Sequence, residues 1–109
     1  MSFFNLKELK QLKKREGIYI KSITGKQLQF QFAELFFGIE ILHHHPEEQM
    51  GMIVEGDVEI TIDGVKKLCK QGDLYHIPSN IQHSFKVISQ PTVKLLDIFS
   101  PPKKENIID

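Results

Sequence analysis

From Ile18 onward, apolar and polar residues change places every second position, the repeat of a strand laid over a core. Ile18, Ile20 and Ser22 alternate with Tyr19, Lys21 and Ile23. After a turn at Gly25-Lys26, Leu28, Phe30 and Phe32 alternate with Gln27, Gln29 and Gln31, which gives that strand one oily and one wet face. Phe36 to Leu42, Met50 to Val54, Val58 to Ile62, Val65 to Cys69, Leu74 to Ile77, Ser84 to Ile88 and Thr92 to Ser100 continue the series. The breaks fall at Gly56-Asp57, Asp63-Gly64 and Gln71-Gly72-Asp73, and Asp-Gly is a strong two-residue hairpin signal. Many short strands so closely spaced predict an all-β fold, an antiparallel sandwich or jelly roll.

Ahead of Ile18 the period differs. Asn5 is placed to cap a helix with Glu8 three residues on, and Leu6, Leu9 and Leu12 form a narrow stripe among Lys7, Lys10, Lys13, Lys14 and Arg15, ending at Gly17. The spacing predicts a short N-terminal helix packed on a sheet edge. The chain therefore divides into a helical segment over 1–17, a β-barrel over 18–100 and a tail over 101–109, all within one domain.

Composition narrows the function classes. With 40% hydrophobic and 26% charged residues the chain has the make-up of a folded soluble domain. Lys plus Arg equals Asp plus Glu at 14 each, so no net charge drives binding to nucleic acid. Cys69 stands alone, which excludes an internal disulfide, and no apolar run is long enough to cross a bilayer. Met1-Ser2-Phe3-Phe4-Asn5 lacks the charged-then-apolar order of a secretion signal, so the expected location is cytoplasmic.

The chemistry concentrates in His43-His44-His45-Pro46-Glu47-Glu48-Gln49. On a strand His43 and His45 share a face and can close on one ion, while His44 faces away. Gln49 follows, and the best further ligand is His83. A divalent metal ion (Zn, Ni, Fe, Mn or Co) held by His43, His45, Gln49 and His83 is the expected cofactor. Glu47 and Glu48 are expected to be solvated in the turn, with either able to stand in for Gln49, and His76 to form pocket wall or core. In the last strand Asp97 falls on the face of Val93, Leu95 and Phe99, where a carboxylate is costly unless backbone amides satisfy it or a reaction uses it.

These segments resemble the cupin superfamily. Its first motif is matched by His43, His45, Gln49 and Gly56, with Gly38 one residue closer to the histidines than usual and Gln49 where Glu is usual. Its second is matched by Gly72, Pro78 and His83, with Asn80 in place of Gly and Val87 in place of Asn. The resemblance covers 36–99 and implies the cupin barrel, a double-stranded β-helix. Asn tolerates the left-handed conformation of the replaced Gly. Gln removes a negative charge from the ion, leaving it held less tightly and more Lewis-acidic.

A narrower resemblance lies at the C-terminus. Asp97-Ile98-Phe99-Ser100-Pro101 followed by Lys103 is similar to the signature of small single-domain cupins, with Lys103 where those carry Arg. That group includes cupin-type polyketide cyclases and the pectin-degradation cupins that convert unsaturated uronates from pectin or alginate into linear keto sugar acids. The resemblance implies a metal-dependent enzyme for a small oxygenated substrate. In it Asp97 moves the proton, Phe99 walls the substrate, and Lys103 steadies an anionic group as a point charge. The alternatives are a metal-dependent dioxygenase, for which three His and a neutral ligand also suit iron, and a non-catalytic small-molecule-binding domain. The family often pairs through sheet edges, and eight Phe in so short a chain fit a homodimer.

Overall fold

The structure is a computed structural model and describes residues 2–108; the expectations at Met1 and Asp109 lie outside them. Ten strands run β1 (Leu12–Arg15), β2 (Ile18–Thr24), β3 (Gln29–Phe36), β4 (Glu40–His43), β5 (Glu48–Glu55), β6 (Val58–Ile62), β7 (Val65–Cys69), β8 (Leu74–Ile77), β9 (His83–Val87) and β10 (Thr92–Ser100) among the described residues. They form a six-stranded sheet in the order β1-β2-β3-β10-β5-β8 and a four-stranded sheet in the order β4-β9-β6-β7, with every pairing antiparallel. Ile18, Ile20, Leu35, Ile53 and Leu95 from the first sheet meet Val58, Ile60, Phe85 and Val87 from the second in the core.

Turn chemistry holds where it was legible. Asp63 and Gly64 both take positive φ, 49° and 80°, and close Ile62 onto Val65 as a two-residue hairpin. Asn80 takes φ 64°, the left-handed conformation for which Asn is the mildest replacement of Gly.

The predicted N-terminal helix is absent among the described residues. Asn5 does cap a turn, accepting from the Lys7 amide at 2.9 Å, while its carbonyl accepts from Glu8 and Leu9. The chain then extends, and Leu12–Arg15 pairs with β2 through Leu12↔Ile20 and Arg15↔Ile18, turning back at Gly17 with φ 88°. The physical reason is that so short a helix is marginal in water, whereas the free edge of β2 offers backbone partners and a core for Leu12.

On β3 the wet face is the inner one. Ala33 and Leu35 enter the core with β2, and a strand has a single parity, so Gln29 and Gln31 are carried inside while Phe30 is left exposed. Strand register then lines up an inward row across the large sheet: Ser22, Gln31, Asp97, Gly51 and Tyr75 are successive cross-strand partners. Gln31 and Asp97 of this row line a cavity of about 340 Å³ whose lining also includes His43, Gln49, Phe99, Lys103 and Asn106. The tail folds back over the cavity as a 3₁₀ turn at Lys104–Asn106. No helix is long and apolar enough to cross a membrane among the described residues.

Candidate metal centre

Two strands of the small sheet bring the histidines together. His43 ends β4 opposite His83 at the start of β9, a direct cross-strand pair, and His45 follows two residues later on the same side. Ligand nitrogens of His43, His45 and His83 all lie within 4.8 Å of one another, and the rings meet edge to face with centroids 4.5 to 5.1 Å apart. His44 is exposed, as its parity requires.

Tautomers follow from the partners. His45 Nδ1 donates to the Glu47 carbonyl at 2.9 Å and His83 Nδ1 to the Ile81 carbonyl at 2.8 Å, because a carbonyl can only accept. In a neutral ring so held, Nε2 is the bare nitrogen. His83 Nε2 is buried without a hydrogen-bond partner among the described residues. His45 Nε2 lies 3.1 Å from Gln49 Oε1, so in the neutral ring two acceptors face each other. The Gln49 amide is oriented by its other end, where Nε2 donates to Asp97 Oδ1 at 3.0 Å. An orphaned lone pair, an acceptor facing an acceptor and three imidazoles fit a divalent cation.

The electrostatics agree. Burial, then the neighbouring His83 and Lys103 charges, push His43 down to about 4, and burial lowers His83 as well, so both rings are uncharged and ligand-ready at neutral pH. Asp97, 2% exposed, is driven up to about 6 by burial against the opposing pull of hydrogen bonds from Tyr75 and Gln49 and the charge of Lys103. Backbone amides do not satisfy it, contrary to that alternative; Tyr75 and Gln49 side chains do, because the sheet register places both beside it. Burial and the Asp97 charge raise Tyr75 well above the usual phenol value.

Phe99 packs its ring against His45, and Lys103 lies 8% exposed with Nζ 5.2 Å above the Phe99 ring and 3.6 Å from Glu105. Three expectations are corrected. His76 is exposed on the outer face and paired with Glu48 at 2.7 Å, because Tyr75 and Ile77 take the inward positions of β8. Glu48 sits on β5, not in a turn, and points outward, so it cannot stand in for Gln49. Glu47 is largely buried, with a carboxylate oxygen 3.5 Å from His45 Nδ1.

Pattern reading passed over Tyr75 and Gly51. Tyr75 donates its hydroxyl to Asp97 Oδ1 from the neighbouring side of the sheet. Gly51 stands between them, and a Cβ there would overlap both the Tyr75 hydroxyl and Asp97 Oδ1. The available signal was a glycine inside an apolar strand, which marks close approach of other groups.

Comparison with known proteins agrees with this architecture. The sequence model of the Cupin domain family matches residues 38–99. An uncharacterized protein of Aquifex aeolicus is 32% identical over 110 residues, covering 93% of this chain and 90% of its own. The pectin degradation protein KdgF of Dickeya dadantii is 31% identical over 62 residues, 57% of this chain and 56% of its own length. The solved structure of KdgF from a Halomonas species superposes with a TM-score of 0.89 at 25% identity, covering 98% of this chain and 99% of that one. The motifs, the two-sheet barrel and these matches together make the chain a member of the cupin family.

Proposed function

We propose that the protein is a metal-dependent enzyme acting on a small, oxygenated, anionic substrate, with ring opening or tautomerisation of an unsaturated uronate as its reaction. The observation that carries this reading is the linkage of Gln49 to both the histidine cluster and Asp97, which sets a proton-transfer group beside a cation site within one cavity. The likeness to two KdgF proteins supports the substrate class.

A divalent cation held by His43, His45, Gln49 and His83 would supply Lewis-acid polarisation of a substrate oxygen. Asp97 lines the same cavity, and both its donors converge on Oδ1, so Oδ2 is the oxygen left to take up or return a proton. Phe99 closes the apolar side and restricts water. Lys103, held in the cavity lining by Glu105 and the Phe99 ring, supplies a positive charge for a carboxylate as a point charge, without the two-pronged geometry of Arg.

The test is turnover of unsaturated uronates by protein loaded in turn with Zn, Ni, Fe, Mn and Co, with Asp97→Asn as control. Asp97→Asn is expected to lower turnover by about 100-fold or more, the range of a lost general acid or base. No turnover with any of these metals removes the substrate class, and oxygen consumption with Fe(II) replaces it with dioxygenase chemistry. Homodimerisation belongs to the same proposal: Phe30, Met50, Leu74 and Ile98 form an exposed apolar strip on the outer face of the large sheet that a second copy would cover. Light scattering that returns the mass of a single chain removes it.

A further inference from the structure

We propose that Gln49, Asp97 and Tyr75 form one positioned unit in which the acid belongs at 97 and the amide at 49, so that Asp97 itself excludes the Glu usual at the position of Gln49. This rests on the reading of Gln49 and the histidines as a metal centre, and it adds Tyr75 and Gly51 as positioning residues.

An amide side chain is ambiguous, because it carries a donor at one end and an acceptor at the other. Here a carboxylate that can only accept holds the donor end, at 3.0 Å, so the carbonyl must face the imidazoles. The carboxylate is in turn fixed by the Tyr75 hydroxyl, which donates to the same Oδ1. Both residues are almost fully buried, Gln49 at 4% and Asp97 at 2% exposure, and the space in which the three groups meet exists because Gly51 has no side chain. The unit spans three adjacent strands: Gly51 pairs with Asp97 on β10 and with Tyr75 on β8, and Gln49 lies one inward position along β5.

The consequence for position 49 is electrostatic. A Glu there would set two buried carboxylates about 3 Å apart and strip Oδ1 of a donor. Such a pair either keeps a proton between its members, which brings the cation no extra charge, or ionises fully, which brings the charge only against the repulsion of Asp97. The negative charge that is absent from position 49 sits instead one hydrogen bond behind it. From there it polarises the Gln49 carbonyl toward the histidines while Oδ2 stays free on the cavity side. Tyr75 and Gly51 touch no substrate in this arrangement; they act through Asp97.

The experiment is a double-substitution cycle read by Co(II) affinity, with isothermal titration on the wild type, Gln49→Glu, Asp97→Asn and the double variant. Gln49→Glu alone is expected to bind Co(II) no tighter than wild type, despite its added carboxylate. The double variant, in which an amide at 97 can again donate to an acid at 49, is expected to bind at least tenfold tighter than Gln49→Glu. In the wild-type background Asp97→Asn gives no such gain. Independently, Tyr75→Phe is expected to weaken Co(II) binding three- to tenfold and to shift the visible absorption of the bound Co(II), a change that loss of packing remote from the centre would not produce. A cycle in which Gln49→Glu alone tightens binding and Asp97→Asn adds nothing overturns the inference, as does an unchanged spectrum in Tyr75→Phe. Wild-type protein that binds no Co(II) removes the metal-centre reading itself, a result distinct from either of these.

Discussion

Asp97 works against the stability of the fold that holds it. Its carboxyl, pushed up to about 6 by burial, lies above the ordinary value of 3.8, so its stabilising contribution is full below about pH 4 and is lost as pH rises through about 6. His43 has the opposite sign: at about 4 against an ordinary 6.5, its contribution is full above about pH 6.5 and is lost as pH falls toward 4. In metal-free protein the two slopes oppose each other across the same window. Replacing Asp97 with Asn keeps an oxygen for Tyr75 and Gln49 while removing the buried charge. The variant should therefore be more stable than wild type at pH 7.5 by on the order of 2 kcal/mol, and its stability should rise with pH between 4 and 6.5 more steeply than that of the wild type. Urea unfolding at stepped pH in the presence of a chelator measures both; a variant curve parallel to the wild type would mean that Asp97 ionises in the ordinary carboxylate range. At this scale the gathering of side chains was legible, because His43, His45, Gln49 and His83 stand at motif spacings and alternation alone places Asp97 inward. The partners of Asp97 were not, since Tyr75 is 22 residues away along the chain and meets it only through sheet register.

Strand parity decides which side of each element reaches the cavity. β10 delivers Val93, Leu95, Asp97 and Phe99 inward as the alternation requires, and β5 delivers Gln49 and Gly51. β3 shows the limit of that reading: its Phe and Gln positions are chosen by the neighbours of Ala33 and Leu35, not by the hydrophobicity of the strand taken alone. The polar positions that result are put to use by the tail. Asn106, 3% exposed, donates to Gln31 Oε1 at 2.7 Å, accepts from Lys14 Nζ at 2.6 Å, and through its carbonyl accepts from Ser22 Oγ at 2.6 Å. Gln29 adds a bond from Nε2 to the Lys103 carbonyl at 3.0 Å. The tail is thus bolted across β2 and β3, and Lys103 is held in the cavity lining by backbone as well as by charge. Asn106→Ala leaves the Gln31 carbonyl and the Lys14 ammonium without their partner, and should cost about 1–3 kcal/mol in urea unfolding and make the tail the first site of proteolytic cleavage. Unchanged stability would mean that water replaces Asn106 without loss. The edge strand β1, which supplies Lys14, is the element whose type was misread, since the stretch has a weak helical stripe and its pairing partner lies after the turn.

For the molecule as a whole, the proposed cation site would tie the two sheets together: His43 and His83 come from the small sheet and Gln49 from the large one, with His45 on the connection between them. A ligand that binds only this folded arrangement stabilises it by mass action. Metal supplied at about 100 times its Kd should add about 2.7 kcal/mol, a rise in Tm on the order of 10 °C for a chain of this size, reversed by a chelator. Differential scanning calorimetry checks this, and a Tm indifferent to every divalent metal would mean that the histidines do not bridge the sheets through an ion. The chain itself determined that there would be many short antiparallel strands, where the hairpin glycines and Asn80 would turn, and which four side chains would gather, because alternation, turn geometry and ligand spacing act over a few residues. The tertiary structure alone decided that β1 is a strand, that the glutamines of β3 face inward, that His76 points to solvent, and that Tyr75, Gly51 and Asn106 complete the site. Each of these depends on which strand lies beside which and in what register, an arrangement settled by burying the whole core at once.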